Sequence, residues 1–116
     1  MAVKRIVPNI RTDRVADARA FYGDVLGLEV VMDLGWIATF QAETSAPPQV
    51  SVATQGGGGT ELPALSIEVD NLDDVHQRAI AGGFLIEYGP VSEPWGVRRF
   101  YLRDPFGTLL NVLQHG

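Results

Sequence analysis

Residues Trp95–Gly116 read WGVRRFYLRDPFGTLLNVLQHG, and their punctuation decides the fold. Two apolar runs, VRRFYL and TLLNVL, flank Asp104, Pro105, Phe106 and Gly107. An aspartate opening a turn accepts a hydrogen bond from the backbone that follows. Proline in second place presets φ, and glycine in fourth place tolerates the exit. The spacing therefore predicts two antiparallel strands of one hairpin. Pro105, which lacks an N–H and has a fixed φ, keeps the turn from sliding into either strand.

A weaker copy of this hairpin ends the first half of the chain. WIATFQ at 36–41 is followed by a loop punctuated by Pro47 and Pro48, then by QVSVATQG, which lies under LNVLQHG with Gly56 and Gly116 near register. Repetition at this scale governs the reading of the whole chain. VKRIVPNIR begins the first half as a strand, with Pro8 marking an edge, a bulge or a strand start. From Arg14 the spacing turns helical through Val15, Ala18, Phe21, Tyr22, Val25 and Leu26, with Asp13 as candidate N-cap and Gly27 as candidate C-cap. LEVVMDL and WIATF follow as strands. The second half repeats the plan. ALSIEVD alternates, with Leu65, Ile67 and Val69 on a core face and Ala64, Ser66 and Glu68 opposite. Asn71 is placed to cap LDDVHQRAIAGG, whose apolar stripe is Leu72, Val75, Ala79 and Ile80, and FLIEYGP leads into the closing hairpin.

Gly56–Gly59 is the sharpest break in composition. A phosphate-cradling loop would need Lys and Ser or Thr after the glycines and then a helix, whereas Thr60-Glu61-Leu62-Pro63 and a strand follow. The run reads as a flexible linker. The expected organisation is one domain over 1–116, with module one at 1–55, linker 56–60 and module two at 61–116, each β-α-β-β-β.

The 116 residues include no cysteine, which excludes disulfides, thiolate metal sites and cysteine nucleophiles together. No apolar run approaches the roughly 18 residues of a membrane span, and MAVKRIVPNIRTDR lacks the apolar core of a signal peptide, so a cytoplasmic protein is expected. The net charge of −5 argues against nucleic acid as a partner. GxSxG and HExxH motifs are missing. Ser45, Ser51, Ser66 and Ser92 read as loop and strand polar residues, His76 as a solvated helix residue and His115 as part of a fraying end.

ARAFYGDVLGLEV in the first half and RFYLRDPFGTLLNV in the second resemble the glyoxalase, bleomycin-resistance and extradiol-dioxygenase superfamily, also called vicinal oxygen chelate proteins. The resemblance spans nearly the whole chain. It implies an α+β fold of two tandem βαβββ modules forming a curled, cup-like mixed sheet with helices outside, and a homodimer. In metal-dependent relatives, His or Glu side chains near the middle of each module's first strand and late in its last strand hold a divalent ion. Carried over, those positions are Val7, Ser51, Ala64 and Asn111, and a shift by one residue gives Pro8, Val52, Leu65 or Val112. None is a good ligand for an open catalytic site, which needs about three imidazole or carboxylate donors. No metal, cofactor or catalytic residue is therefore expected.

The resemblance then implies a metal-independent protein that binds a small organic molecule, with antibiotic sequestration as the nearest precedent. The alternative is a lyase, isomerase or dioxygenase with a displaced metal site. Aromatic side chains give large contact area, so Trp36, Phe40, Trp95 and Tyr101 are candidates for the cup wall, while Phe21, Tyr22 and Phe100 read as core. Asn9, Ser51, Glu68 and Asn111 complete the expected binding set. Arg98, Arg99 and Arg103 share one strand, and any of them pointing inward would favour an anionic ligand.

Overall fold

The period-two stretches become strands and the helical spacings become two helical segments. In chain order these are β1 (Val3–Arg11), a 3-10 turn (Val15–Asp17) running into a wider helical turn (Arg19–Val25), β2 (Glu29–Asp33), β3 (Ile37–Gln41) and β4 (Gln49–Ala53). β5 (Leu65–Val69), α1 (Leu72–Ala81), β6 (Ile86–Ser92), β7 (Val97–Arg103) and β8 (Leu109–His115) follow. The computed structural model describes residues 2–44 and 47–116, so Ser45, expected in a loop, lies outside the described residues.

The chain divides into two compact units, Val7–Leu62 and Met1–Ile6 with Pro63–Gly116. β1 contributes to both. Near its start the Ala2 N–H donates to Asp70 Oδ1 at 2.7 Å and the Ala2 carbonyl accepts from the Asp70 N–H at 3.1 Å, while Asn9–Arg11 pair with β4. Pro8 stands between these two pairings, where a residue without an N–H is tolerated.

In the first unit the strand order is β2-β3-β4-β1, with β1 and β4 parallel and the other pairs antiparallel. The second unit has the order β5-β8-β7-β6, with β5 and β8 parallel. Bringing the first and last strand of a module side by side in parallel requires a crossover, and the helical segment after each first strand provides it. The fold class is the expected α+β arrangement of repeated βαβββ modules.

Each unit packs one sheet face on its own helical segment. In the second, Val69, Leu72, Phe100 and Val112 form the buried centre, with Ile67, Val75, Ile86 and Leu102 around it. In the first, Ala38, Phe40 and Val52 hold the centre against Val15, Ala18, Tyr22, Leu28, Val30 and Val50. The closing turn follows its sequence: Asp104 Oδ1 accepts from the Phe106 and Thr108 N–H groups at 2.9 and 3.0 Å, and Gly107 takes φ +82°.

Several local expectations are corrected. Arg14, not Asp13, precedes the first helical turn, and its N–H is bound by Thr12 Oγ1 at 3.0 Å. The apolar stripe there divides, with Val15, Ala18 and Tyr22 packed inward but Phe21, Val25 and Leu26 exposed, because the chain winds wider and Leu26 N–H reaches back to Phe21 O. Ile80 is exposed on α1. The glycine run is a folded loop, with Gly56 N–H bound to Thr60 O at 2.8 Å and Thr60 Oγ1 to Gly57 O at 2.8 Å. His76 lays its ring against Phe100 at 5.2 Å, and His115 closes β8. Among the described residues no helix is long and apolar enough to cross a membrane.

Candidate functional site

Strand alternation gives one face of the second unit's sheet to α1 and leaves another set of side chains on the opposite face. Register places Ser66, Asn111, Tyr101 and Tyr88 in one row across β5, β8, β7 and β6. The next row holds Glu68, Leu113, Arg99 and Val91. Asn111 is 8% exposed; its Nδ2 donates to Ser66 Oγ at 3.1 Å, while its buried Oδ1 has no hydrogen-bond partner among the described residues. Leaving such an acceptor unmatched costs about 1–3 kcal/mol, which a bound donor would remove. The rings of Tyr88 and Tyr101 lie beside it in the row, their centroids 5.0 Å apart.

Arg99 is 3% exposed, and a buried guanidinium needs a counter-charge. Glu93 supplies it from the loop after β6, with Glu93 Oε2 at 2.7 Å from Nε and 2.6 Å from Nη2. The same oxygen accepts from the Tyr88 hydroxyl at 2.9 Å. Three rings enclose the cation: Trp95 and Tyr101 at 4.9 Å and Tyr88 at 5.5 Å from the guanidinium carbon. Cation–π contacts of this kind strengthen as water is removed. Gly89 lets β6 approach: it holds φ +77°, and a Cβ there would collide with the Arg99 carbonyl oxygen. Burial, followed by the Glu93 hydrogen bond and charge, raises the Tyr88 phenol above its ordinary value, so Tyr88 is a donor and not an anion.

Arg99 therefore does turn to this face, but its charge is matched by Glu93, and the face is not an anion trap. Arg98 points the other way and pairs with Asp73 of α1 at 2.5 Å, while Arg103 pairs with Glu87 at 2.8 Å. Trp95, expected to line a wall from a loop, stacks on Arg99 and so also holds the ion pair.

Glu68 is buried beside three cations or potential cations. Its Oε2 lies 2.7 Å from His115 Nδ1 and 3.9 Å from Lys4 Nζ, and its Oε1 lies 2.5 Å from Arg5 Nε. Burial alone raises its carboxyl, but the His115 hydrogen bond and the Arg5 and His115 charges outweigh it and hold the group below its usual range. A carboxylate so stabilised is a weak proton acceptor, which fits a structural role better than general base chemistry.

The first unit places its predicted residues differently. Asn9, Ser51, Thr39 and Met32 form a row, with Ser51 Oγ and Thr39 Oγ1 sharing a hydrogen bond of 2.7 Å. Trp36 precedes β3 and is half-buried. Phe40, 1% exposed, is corrected from a wall residue to the centre of the helix-side core, stacked on Tyr22 at 5.6 Å. Alternation puts it on the face opposite Thr39.

The first- and last-strand positions in register are thus Asn9 with Ser51 and Ser66 with Asn111, four neutral side chains. The Ser51 hydroxyl is bonded to Thr39 and the Ser66 hydroxyl to Asn111 Nδ2, and no group of three or more His, Cys, Asp or Glu side chains stands ready for an ion among the described residues. The carboxylate–imidazole pair of Glu68 and His115 is bonded to itself and flanked by Arg5 and Lys4, which repel a cation. These residues do not fit the divalent ion of the metal-dependent relatives. His115, expected to fray, is bonded to Glu68 instead, while Glu93 and Tyr88 escaped the sequence reading. The one signal for them was strand parity, since Phe100 in the core puts Arg99 on the other face and so demands a carboxylate nearby.

The model of the family described as Glyoxalase/Bleomycin resistance protein/Dioxygenase superfamily matches residues 3–112. No curated protein matches the sequence. Among solved structures, the chain is similar to NAD-dependent benzaldehyde dehydrogenase from Legionella pneumophila, at 18% identity over 97% of this chain and 100% of that one, with a TM-score of 0.74. It is also similar to methylmalonyl-CoA epimerase from Mycobacterium tuberculosis, at 16% identity over 98% and 87% of the two chains and a TM-score of 0.66. A third is a glyoxalase/bleomycin resistance protein/dioxygenase superfamily member from Vibrio splendidus 12B01, at 19% identity over 97% and 99% and a TM-score of 0.60. At these identities the likeness is one of fold.

Proposed function

The chain belongs to the glyoxalase/bleomycin resistance/dioxygenase superfamily, and from that premise we propose that it binds a small organic molecule, without a metal, on the Asn111 face of the second unit. The observation that carries this reading is the buried Asn111 Oδ1 left without a partner beside the Tyr101 and Tyr88 rings. The ligand it fits is a flat ring system that presents an N–H or O–H donor. Because Glu93 balances Arg99, a neutral or cationic ring suits the face better than a carboxylate, in keeping with sequestration of an aromatic drug. No covalent step is assigned.

The test is a thermal-shift screen of planar aromatic compounds bearing N–H donors, run on chelator-treated protein, followed by titration of the hits against Asn111→Leu. The expected result is binding that survives chelation and falls about tenfold or more in the variant, the worth of one well-made buried hydrogen bond. Hits that require added Zn, Ni, Mn, Fe or Co would sink the metal-free reading and bring forward the lyase, isomerase or dioxygenase alternative. Binding unaffected by Asn111→Leu would move the site elsewhere.

The protein is further proposed to act as a homodimer. Exposed apolar side chains support this, including Val25 and Leu26 on the first helical segment and Leu85 before β6. Sedimentation equilibrium reports the state directly, and a monomer across the accessible concentration range counts against it.

A further inference from the structure

We propose that the first unit carries a second, separate binding site, on the helix side of its sheet, for an amino-acid zwitterion with an apolar side chain. A hollow of about 170 Å³ lies there, floored by Val15, Val30, Ala38 and Phe40 and rimmed by Arg19 and Asp33. A dry cavity of about 150 Å³ holds one benzene ring, so this hollow takes a single ring or a branched aliphatic chain.

The rim selects the head group. Arg19 is exposed, and its side chain makes no hydrogen bond or ion pair among the described residues. Asp33 Oδ1 accepts from the Gly35 N–H at 2.9 Å, which leaves its other oxygen for a ligand. The two rim charges do not neutralise each other, since no ion pair joins them. A plain carboxylate entering the hollow meets Arg19 favourably but Asp33 unfavourably, and a plain amine has the reverse problem. A molecule with a carboxylate and an ammonium on one carbon gives each rim residue an opposite charge, while its side chain covers the apolar floor.

The local backbone is built around the same residue. Arg19 opens the widened turn in which Leu26 N–H bonds to Phe21 O, five residues back, at 3.1 Å. Such turns are rare in helices and recur at functional sites. Phe21, Val25 and Leu26 of this segment are exposed.

The experiment is amide chemical-shift mapping on the full chain with L-leucine, L-phenylalanine, 3-phenylpropionate and 2-phenylethylamine. The two amino acids are expected to shift Val15–Arg19 and Asp33–Ala38, and each single-charge analogue to bind about tenfold weaker or worse, since one charged contact is lost. Arg19→Gln and Asp33→Asn should each weaken L-phenylalanine by a similar factor. Both replace exposed side chains, and the amide spectrum reports whether the fold survives. Should either variant unfold, the comparison of the four ligands decides alone. The proposal is overturned by no shifts at about 10 mM amino acid, weaker than any useful affinity. It is equally overturned if 3-phenylpropionate binds as well as L-phenylalanine, or if the shifts fall around Asn111 instead.

Discussion

In the first unit, Ser51 and Thr39 face each other across β4 and β3 and satisfy each other with a hydrogen bond of 2.7 Å. In the second unit the equivalent positions across β8 and β7 are Asn111 and Tyr101, and there the amide oxygen is left without a partner among the described residues. The backbone plan is the same, and the two first- and last-strand positions of each row are small polar residues. The difference lies in whether the polar atoms close on one another. A row closed on itself has nothing to offer a ligand, whereas a row one partner short keeps a directional group in a buried setting. The asymmetry extends to charge: the second unit buries Arg99 against Glu93 inside three rings, and the ion pair of Arg14 and Asp17 in the first is exposed, at 3.8 Å.

The largest effect is expected where that asymmetry is strongest. Glu93→Ala leaves the Arg99 cation buried without a counter-charge, which costs about 3–5 kcal/mol. Asp73→Ala, which breaks the exposed pair with Arg98, costs about 0–1 kcal/mol. Urea unfolding of the two variants checks the contrast; equal losses would show that the aromatic box does not depend on its carboxylate.

Next in size is a pair of substitutions that should act in opposite ways on equivalent positions. Ser51→Ala strips Thr39 of a buried partner and is expected to cost about 1–3 kcal/mol. Asn111→Leu removes an acceptor that has no partner among the described residues, keeps the volume and gives up only the Nδ2 bond to half-buried Ser66, so its cost should stay within about 1 kcal/mol. If Asn111→Leu is the more damaging of the two, the unpartnered oxygen is engaged in solution and the comparison between the rows fails.

The helical segments give a smaller contrast. Asn71 Oδ1 accepts from the Asp74 N–H at 3.2 Å at the start of α1, and the structurally equivalent Arg14 makes no such cap. Asn71→Ala is expected to cost about 1 kcal/mol and Arg14→Ala close to nothing, read from denaturation midpoints.

These contrasts also mark how far the sequence could be read. The hairpin at Asp104–Gly107 and the repeat were legible because turn chemistry is local: Asp104, Pro105 and Gly107 determine each other's roles within four residues. Of the expected core face Leu65, Ile67 and Val69, the last two pack against α1 and were legible for the same reason, since alternation needs no knowledge of the partner. Phe40 was not, because alternation groups Trp36, Ala38 and Phe40 on one face without saying which face meets the helix. The partner of Arg99 was hidden more deeply. It depends on a register shift in β6 between Tyr88 and Val91 that brings Glu93 back over β7, and nothing in FLIEYGPVSE announces it. The wide turn at Arg19–Val25 was read as an ordinary amphipathic helix, whose spacing it shares.

The last expected effect concerns Glu68, where burial and the surrounding charges act in opposite directions. Burial raises its carboxyl, but the His115 hydrogen bond and the Arg5 and His115 charges win, and the folded-state value lies below the ordinary 4.5. A carboxylate depressed in the folded state stabilises fully above its unfolded value and loses that contribution as pH falls through the folded one. Stability should therefore begin to fall near pH 4.5 and continue falling below it. Glu68→Gln should flatten that acid segment. The measurement is urea unfolding at a series of pH values for both proteins. If the wild-type and Glu68→Gln curves run parallel through the acid range, the Glu68, His115 and Arg5 cluster contributes no pH-dependent stability.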